Sequence, residues 1–365
     1  MTSNVFYSSR HWLHFCADMS GAPSGAVSAA LPGGGASALP VSRVEGIANT
    51  FYDWRAILGK EGLPGPPPSG LLVGPQRGYQ THLLSTPGAK PADAAAGVRG
   101  VLEDVDLTVM AMFLNSHDTA ALKESGVHAL PLLLNADAWL HIPGGGWEAW
   151  LSSLGKRRRE MVRREVRRFA EAGYEITDAP LSAWIDSAAR LLASTEAKYG
   201  HHNHAASYVR LLTGQVKHLG TAGRVIICAP PHEAPVGYAL YYIHGDTLFI
   251  RSAGFDYPRL RNAAEYFNVV FYLPIKQAIE AGVSWVHAGI ESTEAKAFRG
   301  AQLRPLWLLD LSRRSVLEDQ ADAIRSANTR ILSTILKSPF LAKAWNPGEG
   351  VADWFESSDQ SVFPT

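Results

Sequence analysis

The chain has 365 residues, 46% hydrophobic and 19% charged, which is enough for one large or two ordinary packed domains. Its apolar runs are far shorter than the ~20 residues of a membrane helix, and the first ten residues lack the apolar core of a signal peptide. Two cysteines without CxxC spacing exclude a disulfide framework. We therefore expect a cytoplasmic protein with no membrane span.

The first 145 residues are rich in glycine, alanine and proline, with short apolar runs between the loops. These runs predict strands at 70–73, 80–84, 108–114 and 129–134. Apolar periodicity predicts helices at 44–58 and 117–124. The alternation of strands and helices predicts an α/β domain over residues 1–145.

After Pro143 the predicted helices become longer, and the first, over 147–172, carries a basic segment over 150–172 and ends before Gly173. Further helices are predicted at 182–199, 205–219, 260–281, 293–299 and 316–336. Strands are predicted at 224–229, 236–244, 247–253, 284–288 and 305–311. Gly245-Asp246 predicts a tight hairpin between two of these strands. We expect this second domain to span 146–340 and a tail to follow over 341–365.

The basic segment stands out because the whole chain is neutral, with 34 basic and 34 acidic residues, whereas residues 156–168 alone hold eight basic and two acidic residues. At about 100° per residue, Val162, Val166 and Phe169 form one apolar stripe, and the arginines cover the remaining surface. Such a helix can offer a cationic face to phosphates. The alternative is a solvated helix with local pairs to Glu160 and Glu165. The candidate phosphate-binding residues are Lys156, Arg159, Arg163, Arg164 and Arg167.

Two segments resemble a known family. The first is Trp150-Leu151-Ser152-Ser153-Leu154 leading into Lys156-Arg157-Arg158-Arg159. The second runs from Ala264-Glu265-Tyr266-Phe267 through Gly289-Ile290-Glu291 to Lys296-Ala297-Phe298-Arg299-Gly300. Both are similar to Fem-like proteins of peptidoglycan biosynthesis, which belong to the GNAT acyltransferase superfamily.

This resemblance implies an α/β (α+β) fold of tandem GNAT-like domains, Fem-type, with mixed central sheets flanked by helices. It gives residues 1–145 a supporting role, lining one wall of a cleft, and residues 146–340 a catalytic role. It also implies that the phosphates bound by the basic helix belong to tRNA, whose backbone supplies most of the binding free energy.

The turn after the strand at 247–253 bears on the acyl donor. GNAT enzymes that use acetyl-CoA usually have a glycine-containing turn here, where backbone N–H groups at a helix N-terminus hold the pyrophosphate. In this chain the turn from Phe255 to Ala264 has no glycine, although Arg259 and Arg261 remain. The departure favours aminoacyl-tRNA as the donor and leaves acyl-CoA as the alternative. No tightly bound cofactor is expected.

Catalytic candidates cluster around the predicted strand ends, where ligands bind in open α/β sheets. Lys296 could stabilise the oxyanion formed when a carbonyl is attacked. Glu291 or Glu265 could accept the proton of the attacking amine, and Tyr242 could donate one to the leaving group. Arg251 lies on an apolar strand and needs a carboxylate partner, either in a structural ion pair or in a substrate.

Substrate-binding candidates surround this predicted cleft. The histidine-rich loop after Tyr199 could bind an acceptor, or it could be an ordinary polar loop, and its spacing does not predict a metal site. The tyrosines of the central hairpin could equally be core residues. The candidates are Arg251, Tyr199, His202, His204, Tyr238, Asp256 and Arg299.

Together these features predict an acyltransferase that forms an amide bond. It would transfer an aminoacyl group from aminoacyl-tRNA to the amine of a small-molecule or peptide-like acceptor, in cell-wall or natural-product biosynthesis. An acyl-CoA-dependent N-acyltransferase is the first alternative. A non-catalytic GNAT-like module that binds RNA or a partner is the second. The sequence assigns no oligomeric state.

Overall fold

A computed structural model describes residues 5–47, 49–201 and 204–356 of the protein. The chain divides into two compact units. Unit 1 comprises Met1–Ala138, Ile290–Ala297 and Gln302–Thr365, and unit 2 comprises Trp139–Gly289 and Phe298–Ala301. Residues beyond 301 thus group with the N-terminal unit, not with the domain expected over 146–340. The supporting and catalytic roles of the two halves stay predictions.

The strands and helices are numbered in chain order. The strands are β1 Ser24–Ala30, β2 Ala36–Val44, β3 Gly70–Val73, β4 Leu84–Ser85, β5 Thr108–Asn115, β6 Leu132–His141, β7 Glu175–Pro180, β8 Arg224–Ala229, β9 Gly237–His244, β10 Thr247–Phe255, β11 Trp285–His287 and β12 Gln302–Asp310. The helices are α1 Arg10–Ser20, α2 Trp54–Lys60, α3 Pro91–Leu102, α4 Ser116–Glu124, α5 Gly146–Ser153, α6 Lys156–Glu171, α7 Ile185–Lys198, α8 Ala205–Leu219, α9 Glu265–Phe267, α10 Leu273–Glu280, α11 Thr293–Phe298, α12 Ala321–Ile335 and α13 Pro339–Ala344. A π-helical segment, Asn268–Tyr272, joins α9 to α10.

Unit 1 is built on a mixed sheet with the strand order β1-β2-β3-β5-β12-β6, where β6 contributes its residues up to Ala138. Strand β5 is central, because β3 pairs with it in parallel and β12 in antiparallel orientation. Its residues from Val109 to Leu114 are buried, and their continuous apolar run suits a strand covered on both faces.

The strands of unit 2 also pair in both parallel and antiparallel orientations. The last three residues of β6 pair antiparallel with β11, which pairs in parallel with β10, and β9, β8 and β7 follow. The turn predicted at Gly245-Asp246 joins β9 to β10, and Gly245 adopts φ +56° there. Helix α7 packs closely on β10, because a Cβ at Gly254 would lie 2.5 Å from the backbone of Leu191 and Leu192. The mixed α/β architecture predicted from the sequence is confirmed.

Four predictions of local structure are wrong. The strand expected over 80–84 is not formed as such, because only Leu84 of this range belongs to a strand, β4, and Thr81 makes an isolated bridge to Leu114. The helix expected over 44–58 forms only in its last part, because β2 extends to Val44 and α2 begins at Trp54, after Asp53 caps the N–H of Ala56. The helix expected over 147–172 is two helices, since Leu154 and Gly155 have extended ψ angles of 146° and 154°. The helix expected from residue 260 begins at Glu265. Within the described residues, no helix is long and apolar enough to cross a bilayer.

Candidate functional site

Helix α6 in unit 2 carries the basic segment. Val162 and Phe169 are buried and Val166 is half-buried, so the predicted apolar stripe faces the unit. The exposed basic residues are Lys156, Arg157, Arg163, Arg164, Arg167 and Arg168, and Arg158 and Arg159 are half-buried. Most of the positive charge therefore lies on the solvent side of the helix.

The acidic residues of α6 do little to neutralise this face. Glu165 turns inward and binds Arg299, with 2.9 Å between Arg299 Nη2 and Glu165 Oε2, and it also accepts a hydrogen bond from the Tyr272 hydroxyl. Arg163 pairs with Glu148 at 2.8 Å, where both side chains are exposed. Among the described residues, no ion pair joins Arg164, Arg167 or Arg168 to a carboxylate.

Arg299, a predicted substrate-binding residue, lies in the core of unit 2. It is 2% exposed, and its guanidinium carbon lies 3.4 Å from the ring centre of Phe267. Glu165 and Tyr272 complete its surroundings. Its partners are thus supplied by the chain itself, and a role toward substrate stays a prediction.

Glu265, a predicted general base, fills the turn before α9 with its own carboxylate. Oε1 accepts hydrogen bonds from the N–H of Arg261 at 2.7 Å and from the Tyr174 hydroxyl at 2.8 Å, and Oε2 accepts one from the N–H of Ala263 at 2.8 Å. The residue is 3% exposed. The side chain therefore occupies the backbone donors that would otherwise face an anion.

The neighbouring charges of this turn are also paired. Arg259 Nη2 lies 2.7 Å from Glu233 Oε2, and Arg259 Nη1 lies 3.6 Å from Asp256 Oδ2. Arg190 approaches the same Asp256 oxygen at 3.8 Å. Asp256, a predicted substrate-binding residue, thus takes part in an ion-pair network on the surface of unit 2.

The predicted residues of the central hairpin differ in their surroundings. Arg251 is the extra residue of a β-bulge in β10, because Ile250 pairs with Tyr241 and Ser252 with Leu240. Bulges redirect side chains and are frequent near functional sites. Tyr238 is buried and shares a 3.1 Å hydrogen bond with Ser252.

Charges from two further elements act on Tyr238. Burial raises the pKa of the Tyr238 hydroxyl; the charge of Arg251 opposes this shift, and Glu196 and Tyr208 reinforce it. Glu196 on α7 and Tyr208 on α8 were not among the sequence candidates. Little in the sequence indicates a role for either residue, because neither belongs to a recognisable motif.

Tyr242, the predicted proton donor, is buried and donates a 2.8 Å hydrogen bond to Gln215 Oε1. Tyr199 and His204 are exposed at the two ends of the loop between α7 and α8, with Tyr199 66% exposed. Lys198 next to it lies over the Tyr257 ring, 3.6 Å from its centre. His202 lies outside the described residues.

Lys296 and Glu291 belong to unit 1. Lys296 is 5% exposed on α11, whereas Glu291, just before that helix, is exposed. Burial lowers the pKa of Lys296 to about 7, and the charges of Glu291 and Asp137 raise it in opposition. A lysine that changes its charge near neutral pH is a candidate for a functional role.

The surroundings of Lys296 include residues that the sequence reading missed. Asp137 on β6 is 1% exposed and accepts a 2.7 Å hydrogen bond from Gln80 Nε2. Gln80 Oε1 is buried without a hydrogen-bond partner in the described chain. Burial also lowers the pKa of Arg304, and Asp137 opposes that shift. A carboxylate within a mostly apolar strand was the available signal for Asp137.

The predicted cleft would have joined Arg251 and Glu265 to Glu291 and Lys296. The first two belong to unit 2 and the last two to unit 1, so their common site stays a prediction. Within the described parts of the chain, no group of three or more His, Cys, Asp or Glu side chains could hold a metal ion.

Comparison with known proteins gives a family and a fold. The FemAB-like family, described as peptidoglycan biosynthesis/recognition, matches residues 95–330. The crystal structure of FemX is 10% identical, with a TM-score of 0.54, and the match covers 85% of this chain and 91% of FemX. L-PGS from Bacillus licheniformis is 11% identical, with a TM-score of 0.52 and coverages of 84% and 87%. A conserved protein of unknown function from Bacteroides thetaiotaomicron is 13% identical, with a TM-score of 0.52 and coverages of 86% and 94%.

No curated protein sequence matches the chain. The solved structures share its fold at identities too low to indicate more, whereas the family match spans well over half of the sequence. The chain therefore belongs to the FemAB-like family of acyltransferases.

Proposed function

We propose that the protein transfers an aminoacyl group from aminoacyl-tRNA to the primary amine of a small-molecule or peptide-like acceptor, in cell-wall or natural-product biosynthesis. The observation that carries the proposal is the cationic face of α6 formed by Arg164, Arg167 and Arg168, which no carboxylate of the described residues neutralises. Phosphate contacts of this kind supply most of the free energy with which proteins bind nucleic-acid backbones. The family's description as peptidoglycan biosynthesis supports a peptide-like acceptor.

The reaction replaces an ester by an amide. The acceptor amine attacks the ester carbonyl carbon, the new C–N bond forms, and the C–O bond to the tRNA ribose breaks. The nitrogen loses a proton, and the released ribose oxygen gains one. We assign Lys296, as an ammonium, to stabilise the negative charge on the carbonyl oxygen. We assign Glu291, the exposed carboxylate beside it in unit 1, to accept the amine proton.

The structure around Glu265 argues against acyl-CoA as the donor. The N–H groups of Arg261 and Ala263 already bind the Glu265 carboxylate, so a pyrophosphate would have to displace a buried, hydrogen-bonded anion. Arg259 is paired with Glu233 and Asp256. In this proposal Glu265, whose carboxylate holds the turn, and Tyr242, whose hydroxyl donates to Gln215 Oε1, serve the fold and take no part in proton transfer.

For the acceptor, we propose recognition by Arg251 with Tyr238 and Glu196. The bulge turns Arg251 out of the regular alternation of β10, and the cation and Glu196 both act on the Tyr238 hydroxyl. Charges of both signs suit an acceptor that carries an amine and a carboxylate, as amino acids and peptides do. Tyr199, His204 and His202 stay candidates for contacts to the rest of the acceptor.

The test compares two triple variants of the full chain. Arg164→Ala, Arg167→Ala and Arg168→Ala remove exposed charge from α6, and alanine preserves helix propensity. Arg43→Ala, Arg313→Ala and Arg314→Ala remove three exposed charges from unit 1 as the matched control. Transfer from radiolabelled aminoacyl-tRNA to candidate amines is measured with and without ribonuclease.

We expect the α6 variant to lose transfer by on the order of tenfold or more at 0.15 M salt, because three phosphate contacts disappear. The control should transfer at the wild-type rate. Two results would overturn the proposal: full activity of the α6 variant, or wild-type transfer from acyl-CoA that ribonuclease does not affect. Binding of tRNA without transfer to any amine would instead identify a binding module.

A further inference from the structure

We propose that the tRNA-binding surface continues past the end of α6 onto Arg261, so that one phosphate track runs from the helix to the turn before α9. This inference rests on the proposed function and adds a residue from another segment to its RNA contact. Acyl-CoA was expected only as an alternative at this turn, and the geometry around Arg261 points to a macromolecular polyanion.

Arg261 is attached to the end of the basic helix. Its Nη1 donates a 2.5 Å hydrogen bond to the carbonyl of Ala172, the residue that follows α6. Its guanidinium carbon lies 5.1 Å from the ring centre of Tyr174, and that ring stacks on Phe169 of α6 at 5.4 Å. The cation therefore lies beside the C-terminal end of the basic helix.

The charge of Arg261 is exposed and has neutral partners. A carbonyl oxygen and an aromatic ring hold its guanidinium, and no carboxylate within the described residues forms an ion pair with it. The Glu265 carboxylate binds the backbone N–H of Arg261, where it is already shared with Tyr174 and Ala263. Arg261 thus keeps its positive charge available to a phosphate.

Glu265 acts as the positioning residue for this cation. Asn262 and Ala264 adopt left-handed backbone conformations, φ +57° and +61°, which are unfavourable for alanine. The three hydrogen bonds to the Glu265 carboxylate hold the turn in this form. The turn therefore presents Arg261 in a fixed direction, which reduces the entropy lost on binding.

Arg259, two residues earlier, provides the matched control. It also belongs to the turn and is partly exposed, but Glu233 and Asp256 neutralise it. Replacing either arginine by glutamine removes one charge and keeps a polar side chain. Only the Arg261 change removes an available cation.

The experiment measures binding of a fluorescein-labelled tRNA transcript to the full chain between 0.05 and 0.3 M salt, about the range where phosphate contacts dominate affinity. For Arg261→Gln, we expect the slope of log K against log salt to become shallower by about 0.7 to 0.9 units, the range for one phosphate contact. For Arg259→Gln, the slope should equal that of the wild type. Thermal unfolding of both variants checks that the fold is retained.

An unchanged slope for Arg261→Gln would overturn the inference while leaving the proposed function standing. An equal change for Arg259→Gln would overturn it too, because the effect would then report overall charge. Absence of salt-dependent tRNA binding by the wild-type protein would overturn both proposals. Vesicles of phosphatidylcholine and phosphatidylglycerol form a second arm, and a defect of Arg261→Gln confined to vesicles would reassign the surface to lipid.

Discussion

Arg299 Nη2 lies 2.9 Å from Glu165 Oε2, so an acidic residue of the basic helix binds a cation in the core of unit 2. The Tyr272 hydroxyl joins both residues, and the Phe267 ring covers the guanidinium. This ion pair fixes α6 to unit 2 through Glu165. The arginines of α6 are then left to face solvent.

Glu165→Gln should destabilise the protein by about 3 kcal/mol, because it leaves the buried Arg299 without its counter-ion. Urea unfolding followed by circular dichroism measures the change. Glu160→Gln is the control on the same helix, since Glu160 is exposed, and it should stay within about 0.5 kcal/mol of the wild type. Equal stabilities of the two variants would show that the pair does not anchor the helix.

Lys296→Met should stabilise the fold at pH 6 by at least about 1 kcal/mol while abolishing transfer. Burial lowers the folded-state pKa of Lys296 to about 7, below its value in the unfolded chain. Below pH 7 the buried amine must carry its charge, so the cost of burial is fully present. The cost is lost as the pH rises from 7 toward 10.5, and the advantage of the variant should shrink over that range. A variant that is less stable at pH 6 would contradict this account.

Lys296→Arg should keep transfer activity at alkaline pH better than the wild type does, relative to each protein's maximum. If the lysine acts as an ammonium, the wild-type rate falls as the pH rises through about 7. Arginine keeps its charge throughout this range. A pH–rate profile under single-turnover conditions measures the effect, and identical alkaline limbs for both proteins would remove Lys296 from this role.

Asp137→Asn should move the alkaline limb of the wild-type profile to lower pH. The Asp137 charge raises the pKa of Lys296 against the effect of burial, so its removal favours the neutral amine. Asparagine can still accept the hydrogen bond from Gln80 Nε2, which preserves the local packing. A limb at an unchanged pH would indicate that Asp137 acts only on the fold.

Glu265→Gln should lower the pKa of Tyr174, which ultraviolet difference titration measures. Burial is the main cause that raises this pKa to about 12; the N–H of Arg261 lowers it, and the hydrogen bond and charge of Glu265 raise it further. Removing the Glu265 charge therefore favours the tyrosinate at a lower pH. Tyr174→Phe provides the assignment, and the titration step in question should vanish in that variant.

The sequence predicted some parts of the fold well because local signals there agree. The three-stranded antiparallel segment from β8 to β10 combines apolar strands with the turn signal at Gly245-Asp246. Strand β1 was missed because most of its residues are small serine, alanine and glycine, and β7 because it is short, half polar and without a buried face. Such strands form through pairing with a neighbour, which a local pattern does not contain.

The candidate site, like the missed strands, depends on contacts between residues that are distant in the sequence. The basic segment of α6 was evident from composition, whereas the inward direction of Glu165 depends on Arg299, 134 residues away. The family-like motifs indicated both Glu265 and Lys296 as candidates, but the two side chains have different surroundings in the structure. The Glu265 carboxylate accepts three hydrogen bonds, whereas the Lys296 amine is buried and has a lowered pKa.

The pairing of β12 with β5 has a consequence for synthesis on the ribosome. Strand β5 ends at Asn115, and its partner β12 begins at Gln302, so nearly 190 residues are translated between them. At about 5–20 residues per second, the apolar face of β5 waits on the order of ten seconds or more for its neighbour. Unit 1 can therefore complete its sheet only late in translation, and nascent chains stalled before β12 should bind chaperones that recognise exposed apolar strands.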